Sequence, residues 1–504
     1  MDLLDAYTLA VTGLFQPLPM LALVAGVLIG LVSGAMPGGT LPTLVILLGF
    51  AYQMDPYIAL PLALGSGAVV NTSDTIPAIL FGIPGSSTGQ ATILDGHALA
   101  KKGMAGRALC VSYFTSLLGG LIGAVGFAVV MLAARPMLRL FGSAEFFMLG
   151  LLGIMMVAVV SSGAFLKGIL GAAIALAIAT IGFDNITATL RFTYDSDYLY
   201  DGVPLIPIIV GLFAIPEMVN IFLSAKPIGR MEESFAHIEF KRMDAIKEVL
   251  QHKFLILRSS LIGLFVGILP GVGGVAGHWL AYSQAYQTEK GASKTFGTGD
   301  IRGLIAPDSA NNAIDGGQLV PTVAFGIPGG SHQAIMLGFF ILLGLVPGPN
   351  MLEENLDKTV LLGICLAVAN IIGTGIALYA TPLLARLSFV EPGKLVPVVI
   401  AILTLSAFQA NYSMGDIVVV ALFSLIGVLM KTYGWPRPPI ILAVVLGKQL
   451  NKYLWISLNM YGWSMFARPQ AVIILIVALA TLVFTLRVQM QAAAAASRSL
   501  SGTS

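Results

Sequence analysis

Charge is what this sequence has least of. Asp, Glu, Lys and Arg together make up 10% of its 504 residues, against about 25% in an ordinary soluble domain, which leaves too few to clothe a soluble globule of this size. The charges also nearly cancel, 27 basic against 25 acidic for a net charge of +2. That excludes the strongly positive field needed to hold nucleic acid. Cysteine is equally scarce. Cys110 and Cys365 stand in separate apolar runs with no CxxC spacing, which excludes a disulfide framework and a zinc site. No H-E-x-x-H and no P-loop string occurs, so neither a zincin nor an ATP site of that kind is expected, and no metal or cofactor is called for. Met1-Asp2-Leu3-Leu4-Asp5 has no positive stretch, and no cleaved signal peptide is expected.

What is present is apolar. The hydrophobic set makes up 57% of the chain and mean hydropathy is +0.90. A spanning helix needs about 20 apolar residues, and such runs recur from Leu14 to Leu486. The expected fold is an all-α polytopic integral membrane protein in a lipid bilayer, with about 11 to 12 spans plus hairpin segments. The 57 glycines and 26 prolines suit close helix packing. Clustered Pro-Gly does more, marking broken helices, which a bilayer tolerates only inside protein or at a watery cavity.

The breaks recur in order. Gly30–Gly38 matches Gly263–Gly271 without a gap, 233 residues on; Pro77–Gly85 matches Pro321–Gly329, 244 residues on; Pro207-Ile208-Ile209 matches Pro439-Ile440-Ile441, 232 residues on. Three blocks in one order at nearly constant offset indicate a duplication. Lys and Arg accumulate in short cytoplasmic loops, which orients the halves. Asp2 and Asp5 suggest outside; Lys101, Lys102 and Arg107 inside; Asp184, Asp195, Asp197 and Asp201 against Arg191 outside; the polar stretch from Lys226 to Arg258 inside; Glu353, Glu354 and Asp357 outside; Lys431, Arg437, Arg487 and Arg498 inside. With spans near Leu14–Ala35, Ala108–Ala134, Phe146–Ser162, Gly168–Phe183 and Val203–Leu223, the first half makes an odd number of crossings and its twin runs upside down. This organisation is two inverted-topology repeats, 1–225 and 259–468, joined by a cytoplasmic connection, 226–258. An extra span falls at 469–490 and a disordered cytoplasmic tail at 491–504, and the N-terminus is periplasmic. Inverted repeats with broken helices are a build of secondary transporters, whose site lies at the repeat interface.

Each half offers two breaks with a polar cluster between them. The first has Pro37, Gly38, Gly39 and Thr40, then Asn71, Ser73 and Asp74, then Gly85, Ser86 and Ser87. The second has Pro270, Gly271 and Gly273, then Asp308, Asn311 and Asn312, then Gly329, Gly330 and Ser331. A break exposes unpaired amides at the start of a half-helix, where the macrodipole is positive. Two breaks together would cradle a small anion, most simply a carboxylate, while unwound carbonyls hold Na⁺. Ionisable groups in apolar surroundings are costly and become functional candidates. Asp74, Asp308, Asp315 and His332 are therefore the candidates for coupling to Na⁺ or H⁺, with N-capping the plainer reading of Asp74 and Asp308. Asp95, His97, Lys101 and Lys102 read as a solvated helix end, and His278 as a packed residue bonded to backbone.

Two enzyme-like strings lack their context. Gly85–Gly89 fits G-x-S-x-G without the strand-turn-helix of a nucleophile elbow, and Gly271–Ala276 fits G-x-G-x-x-A after a helix rather than a strand. An ion-gradient-driven carrier, not an enzyme, is the reading preferred over a cation/proton antiporter using Asp74 or Asp308, and over an intramembrane serine hydrolase using Ser87 or Ser331.

At these motifs the sequence resembles the large membrane subunit of the tripartite tricarboxylate transporter family. The resemblance is carried by Gly34-Ala35-Met36-Pro37-Gly38, by Ser73–Leu80 leading to Ile83-Pro84-Gly85 and Leu94-Asp95-Gly96, and by Ala306–Asn312 leading to Gly326–Gly329. It implies uptake of citrate-like or other carboxylates across the bacterial inner membrane by symport with Na⁺ or H⁺. It also implies two partners, a periplasmic solute-binding protein that delivers the substrate and a small membrane subunit.

Overall fold

The computed structural model describes residues 2–36, 40–86, 89–138, 141–160, 165–184, 186–223, 242–269, 273–387 and 392–476. Helices follow the apolar runs. The first half holds α1 (Leu3–Leu14), α2 (Pro17–Ala35), α3 (Thr40–Phe50), α4 (Pro56–Ser73), α5 (Thr75–Phe81), α6 (Gln90–Lys101), α7 (Ala105–Leu138), α8 (Ser143–Val160), α9 (Phe165–Ala179), α10 (Leu205–Ile209) and α11 (Ile215–Leu223), the last two joined through a π-helical turn, Val210–Ala214. The second holds α12 (Arg242–Gln251), α13 (Lys253–Ile268), α14 (Gly273–Thr288), α15 (Ala292–Thr295), α16 (Ile301–Phe325), α17 (Ser331–Leu342), α18 (Pro349–Glu353), α19 (Leu356–Leu387), α20 (Pro392–Asn411), α21 (Met414–Thr432) and α22 (Pro438–Tyr461). Among the described residues the only sheet is an antiparallel hairpin of β1 (Gly182–Asp184) and β2 (Thr189–Arg191). Phe183, expected at the end of a span, thus lies in a strand, the helix before it stopping at Ala179.

The chain is an all-α polytopic membrane protein. Among the described residues, five helices are long and apolar enough to cross a bilayer: Pro17–Ala35, Ala105–Pro136, Leu205–Leu223, Leu356–Arg386 and Met414–Thr432. The pair α12 and α13, bent by 76°, makes a sixth if counted as one span. Residues 242–258 of the polar connection are therefore largely helical. Of the shorter apolar helices, α3 and α17 have 11 and 12 residues. At 1.5 Å per residue they fall well short of a hydrocarbon core about 30 Å thick, and each follows a Pro-Gly pair in the sequence. Of the last expected span, residues 469–476 are helical and the rest lies outside the described residues.

Glycine explains the closest contacts. A Cβ on Gly34 of α2 would lie 2.6 Å from the Val70 carbonyl of α4, and one on Gly267 of α13 would lie 2.6 Å from the Ile314 carbonyl of α16. Gly30 faces the Ser66 carbonyl as Gly263 faces that of Ala310. The paired glycines differ by 233 in number and their partners by 244, the offsets of the sequence blocks themselves. Lipid gives no hydrophobic drive between helices, so such backbone approach, with its van der Waals gain, holds each pair together.

The halves also interlock. The long helix α7 packs on α16, α13 and α12, while its counterpart α19 packs on α4, α2 and α1. This arrangement encloses α16, where every residue from Gly303 to Ala324 is buried. The helix carries Asp308, Ser309, Asn311, Asn312, Asp315 and Gln318 in that buried stretch, and buried polar groups must find partners.

Candidate functional site

The two Phe-Gly-Ile-Pro-Gly motifs fold alike. Gly82 and Gly326 end α5 and α16 with φ of 66° and 68°, the left-handed cap in which the next amide reaches back over the last turn. The Ile83 amide donates to the Pro77 carbonyl at 3.3 Å and the Ile327 amide to the Pro321 carbonyl at 3.1 Å. Each loop then doubles back over its own helix. A Cβ on Gly85 would stand 2.7 Å from Asp74 Cα, and one on Gly329 would stand 2.6 Å from Gln318 Cα. Asp74 and Gln318 are therefore equivalent positions, an acid beneath one loop and a neutral amide beneath the other. The Ser86 hydroxyl donates to Asp74 Oδ2, and Gly330 lies against the Gln318 side-chain amide.

Between these loops α4 and α16 meet through side chains. Asn71 Nδ2 donates to Asp315 Oδ2 at 3.0 Å and to the Asn311 carbonyl at 3.4 Å. Asn312 Nδ2 is shared between Thr72 Oγ1 and Asn370 Oδ1, both at 3.0 Å, and Asn370 is anchored on the Leu366 carbonyl at 2.8 Å. From α6, Thr92 Oγ1 donates to Asp308 Oδ1 at 2.5 Å, and the Ala91 amide donates to His278 Nε2 of α14 at 3.3 Å. Asp308 and Asp315 lie near enough that charge on either acts on Asp74.

What is left unpaired is oxygen. Asp74 Oδ1, Asn311 Oδ1, Asn312 Oδ1 and Gln333 Oε1 are buried without a hydrogen-bond partner, and Asp308 Oδ2 has only the Ser112 hydroxyl near it. No Lys or Arg is buried among the described residues. A set of bare acceptors around three carboxyl groups suits a cation or protons, because uncompensated buried charge costs several kcal/mol per ion. A cavity of about 20 Å³ opens beside this cluster, lined by Asp315, His332, Gln333 and Gly67 among others. It has room for about one water or a small ion. Where the sequence leads one to expect bare amides, the region between the loops offers acceptors.

The structure places the candidates unevenly. Asn71, Asp74, Gly85, Ser86, Asp308, Asn311, Asn312, Asp315, Gly329 and Gly330 converge on the region between α4, α16 and the two loops. Ser331 and His332 open α17 at its edge. Thr40 starts α3 with its hydroxyl buried and unpartnered. Ser73 instead turns to the Gly30 and Val69 carbonyls at 3.4 Å and serves the α2–α4 crossing. Gly273 begins α14; Pro37, Gly38, Gly39, Ser87, Pro270 and Gly271 lie outside the described residues. Capping does not explain the acids. Asp308 sits within the unbroken α16, and Asp74, at the α4–α5 junction, caps no amide.

Asp95 departs from its expected solvated setting. It is fully buried and accepts from the Gly299 and Asp300 amides at 2.8 Å and from the Tyr282 hydroxyl at 3.0 Å. His278 is packed and bonded to backbone, as its sequence setting suggests. Sequence reading missed Gln318, Gln333, Thr92 and Asn370. Asn370 left a signal, as the lone amide in the apolar run Val360–Ile376.

Together these features define a polytopic helical membrane protein that buries a charged polar site between two matched broken-helix motifs. Its family follows from the whole chain: the model of the tripartite tricarboxylate transporter TctA family matches residues 20–442, and the chain belongs to that family. It is 28% identical over 467 residues, 90% of each chain, to a protein of Agrobacterium vitis named "Uncharacterized 52.8 kDa protein in TAR-I ttuC' 3'region". A second Agrobacterium vitis protein, named "Uncharacterized protein in TAR-II ttuC' 3'region", is 28% identical over 197 residues, 38% of this chain and 79% of that one. No solved structure matches the chain significantly. The family is one of transporters, and the chain is by membership a transporter subunit.

Proposed function

We propose that the protein is the ion-coupled membrane subunit that imports small carboxylates across the bacterial inner membrane. A periplasmic solute-binding protein delivers the substrate and a small membrane subunit stands alongside. The two halves are inverted repeats with the N-terminus periplasmic, and Na⁺ or H⁺ moves with the substrate.

The observation that carries this reading is the pairing of Asn71 with Asp315 between loops that fold alike. Equivalent positions of the two halves touch there, so an approximate two-fold relation passes through the polar cluster, as in transporters whose site lies between repeats. Three buried carboxyl groups, with no buried Lys or Arg among the described residues, repel an incoming anion when ionised. At an effective dielectric of about 20, like charges about 4 Å apart repel by about 4 kcal/mol, and by less at longer range. Cations or protons on Asp74, Asp308 and Asp315 remove that barrier, which ties anion entry to cation entry. In this reading backbone amides at the breaks and the Asn311 side-chain amide hold the carboxylate, while Asn312, whose Nδ2 already donates to Thr72 and Asn370, turns its bare Oδ1 to the coupling cation.

The test is uptake of labelled citrate and succinate into proteoliposomes holding this protein, its small subunit and the binding protein. Accumulation is expected only with an inward Na⁺ or H⁺ gradient and only with the binding protein present. Cation exchange that proceeds equally without any carboxylate would instead establish an antiporter.

A further inference from the structure

A second cavity carries charge of the opposite sign. Helices α9 and α22 lie side by side, Gly447 against Ala179. Where α9 stops, the β1–β2 hairpin continues along α22, and a cavity of about 520 Å³ opens between them. Asp184, Arg191, Lys448, Gln449, Asn451 and Lys452 supply its charged and amide lining.

The acid there is already compensated. Asp184 pairs with Arg191 at 2.5 Å and accepts from Thr187 Oγ1 at 2.6 Å and Asn451 Nδ2 at 3.1 Å. Burial raises its carboxyl, but the Thr187 hydroxyl, the Ile186 amide and Arg191 outweigh that and hold it below the ordinary range. Asp184 and Arg191 thus form a neutral pair. Two ammonium groups remain. Lys448 donates to the Asp201 carbonyl at 2.8 Å, and neither Lys448 nor Lys452 has a carboxylate partner among the described residues.

Lys448 and Lys452 are one helical turn apart on one face of α22, where Cβ atoms stand about 5–6 Å apart and like charges repel by a few tenths of a kcal/mol. A ligand with two carboxylates matches that spacing, and a concave cavity suits a small molecule better than a protein surface. The cavity also adjoins the central motif. Leu446, two residues before Lys448, packs 3.4 Å from a Cβ built on Gly326. Val346, in the cavity wall, precedes Gly348, whose amide donates to the Val323 carbonyl of α16 at 2.8 Å.

We propose that Lys448 and Lys452 form a receiving site for a small di- or tricarboxylate, which rests there before passing to the motif around Gly326. The cargo's identity rests on the function proposed above, whereas the site rests on the cavity and its two lysines.

The test is calorimetric titration of citrate into the purified full chain at low salt, with acetate as the single-carboxylate comparator. Citrate is expected to bind, acetate at least tenfold more weakly. Lys448→Gln and Lys452→Gln are each expected to weaken citrate at least tenfold, and Lys452→Arg to retain it. Citrate binding is expected to survive Asn312→Ala while uptake is lost. Equal citrate affinity in wild type and in the double Lys448→Gln/Lys452→Gln variant overturns the proposal, as does the absence of citrate binding to wild type. Undiminished citrate binding in the double variant, with uptake weakened when the binding protein delivers, assigns the lysines to the partner's acidic surface and also overturns it. If no carboxylate is taken up but lysine-dependent citrate binding persists, the transport reading fails and the site stands.

Discussion

Asn71 and Asp315 occupy equivalent places in the two halves and hydrogen bond to each other at 3.0 Å. A contact between equivalent residues forms only where an approximate two-fold axis passes. One member of the pair is neutral and the other acidic, and the same holds for Asp74 against Gln318 and, by the 244-residue offset, for Asp308 against Leu64. The backbone repeats while the charge does not.

This pair gives the sharpest mutational expectation. Asp315→Asn removes a buried carboxyl and is expected to cut gradient-driven uptake at least about tenfold, near 1.4 kcal/mol. The exchange Asn71→Asp with Asp315→Asn restores the amide–carboxylate pair and is expected to recover a substantial part of the rate. Uptake in proteoliposomes, normalised to inserted protein, is the measurement. Equal loss in the single and exchanged variants would show that position, not pairing, matters.

The glycine crossings lend themselves to a matched test. Gly30→Val and Gly263→Val each drive a side chain into the facing carbonyl of Ser66 or Ala310, and overpacking of this kind costs about 1–3 kcal/mol or more. Both are expected to lower detergent-solubilised yield and melting temperature by similar amounts. Gly375→Ala, a helical glycine with open space around it, is the control expected to be silent. Thermal unfolding of the three variants decides it.

Much of this was legible in the sequence and some was not, for definable reasons. The Pro-Gly breaks, the duplication and the acids of α16 were visible because each leaves a local signature in an apolar chain. Asp95 was misread because Asp95, His97, Lys101 and Lys102 look like a helix end in water. Its partners Gly299, Asp300 and Tyr282 lie about 200 residues away, and no local pattern points to them. That Ser73 bonds the Gly30 carbonyl of α2 is not legible in the sequence, which does not say which face of α4 meets α2. The basic pair on α22 escaped notice because only the hairpin after α9 turns it into a cavity wall.

Asp95 accordingly has a structural forecast. Asp95→Ala leaves the Gly299 and Asp300 amides without their acceptor, and unsatisfied buried groups cost about 1–3 kcal/mol each. Hydrogen exchange in residues 297–302 is expected to speed up markedly, while the α2–α4 crossing stays protected. Unchanged exchange in that loop would contradict the anchoring role.

At the same end of α16, acidity has a defined effect. Asp300 caps the helix through the Arg302 amide at 2.9 Å and pairs with the Arg302 guanidinium at 2.7 Å. Burial pushes its carboxyl up, but Arg302 and Thr295 outweigh it and hold it below the ordinary range. A depressed folded value means that this stabilisation is present above the unfolded value near 3.9 and is lost as pH falls through the folded value. Asp300→Asn is therefore expected to lower the melting temperature at pH 7 and to flatten its fall below about pH 4. Parallel acid limbs in wild type and variant would show that Asp300 does not contribute to it.

The coupling of anion to cation is tested most directly by the number of Na⁺ or H⁺ ions that enter with each citrate, read from the membrane potential and ion gradient at which net citrate flux reverses. We expect a reversal point that shifts with the cation gradient, and that loses part of this dependence in Asp315→Asn. A reversal point set by the citrate gradient alone, in wild type, would contradict the claim that the buried carboxyl groups admit an anion only together with cations.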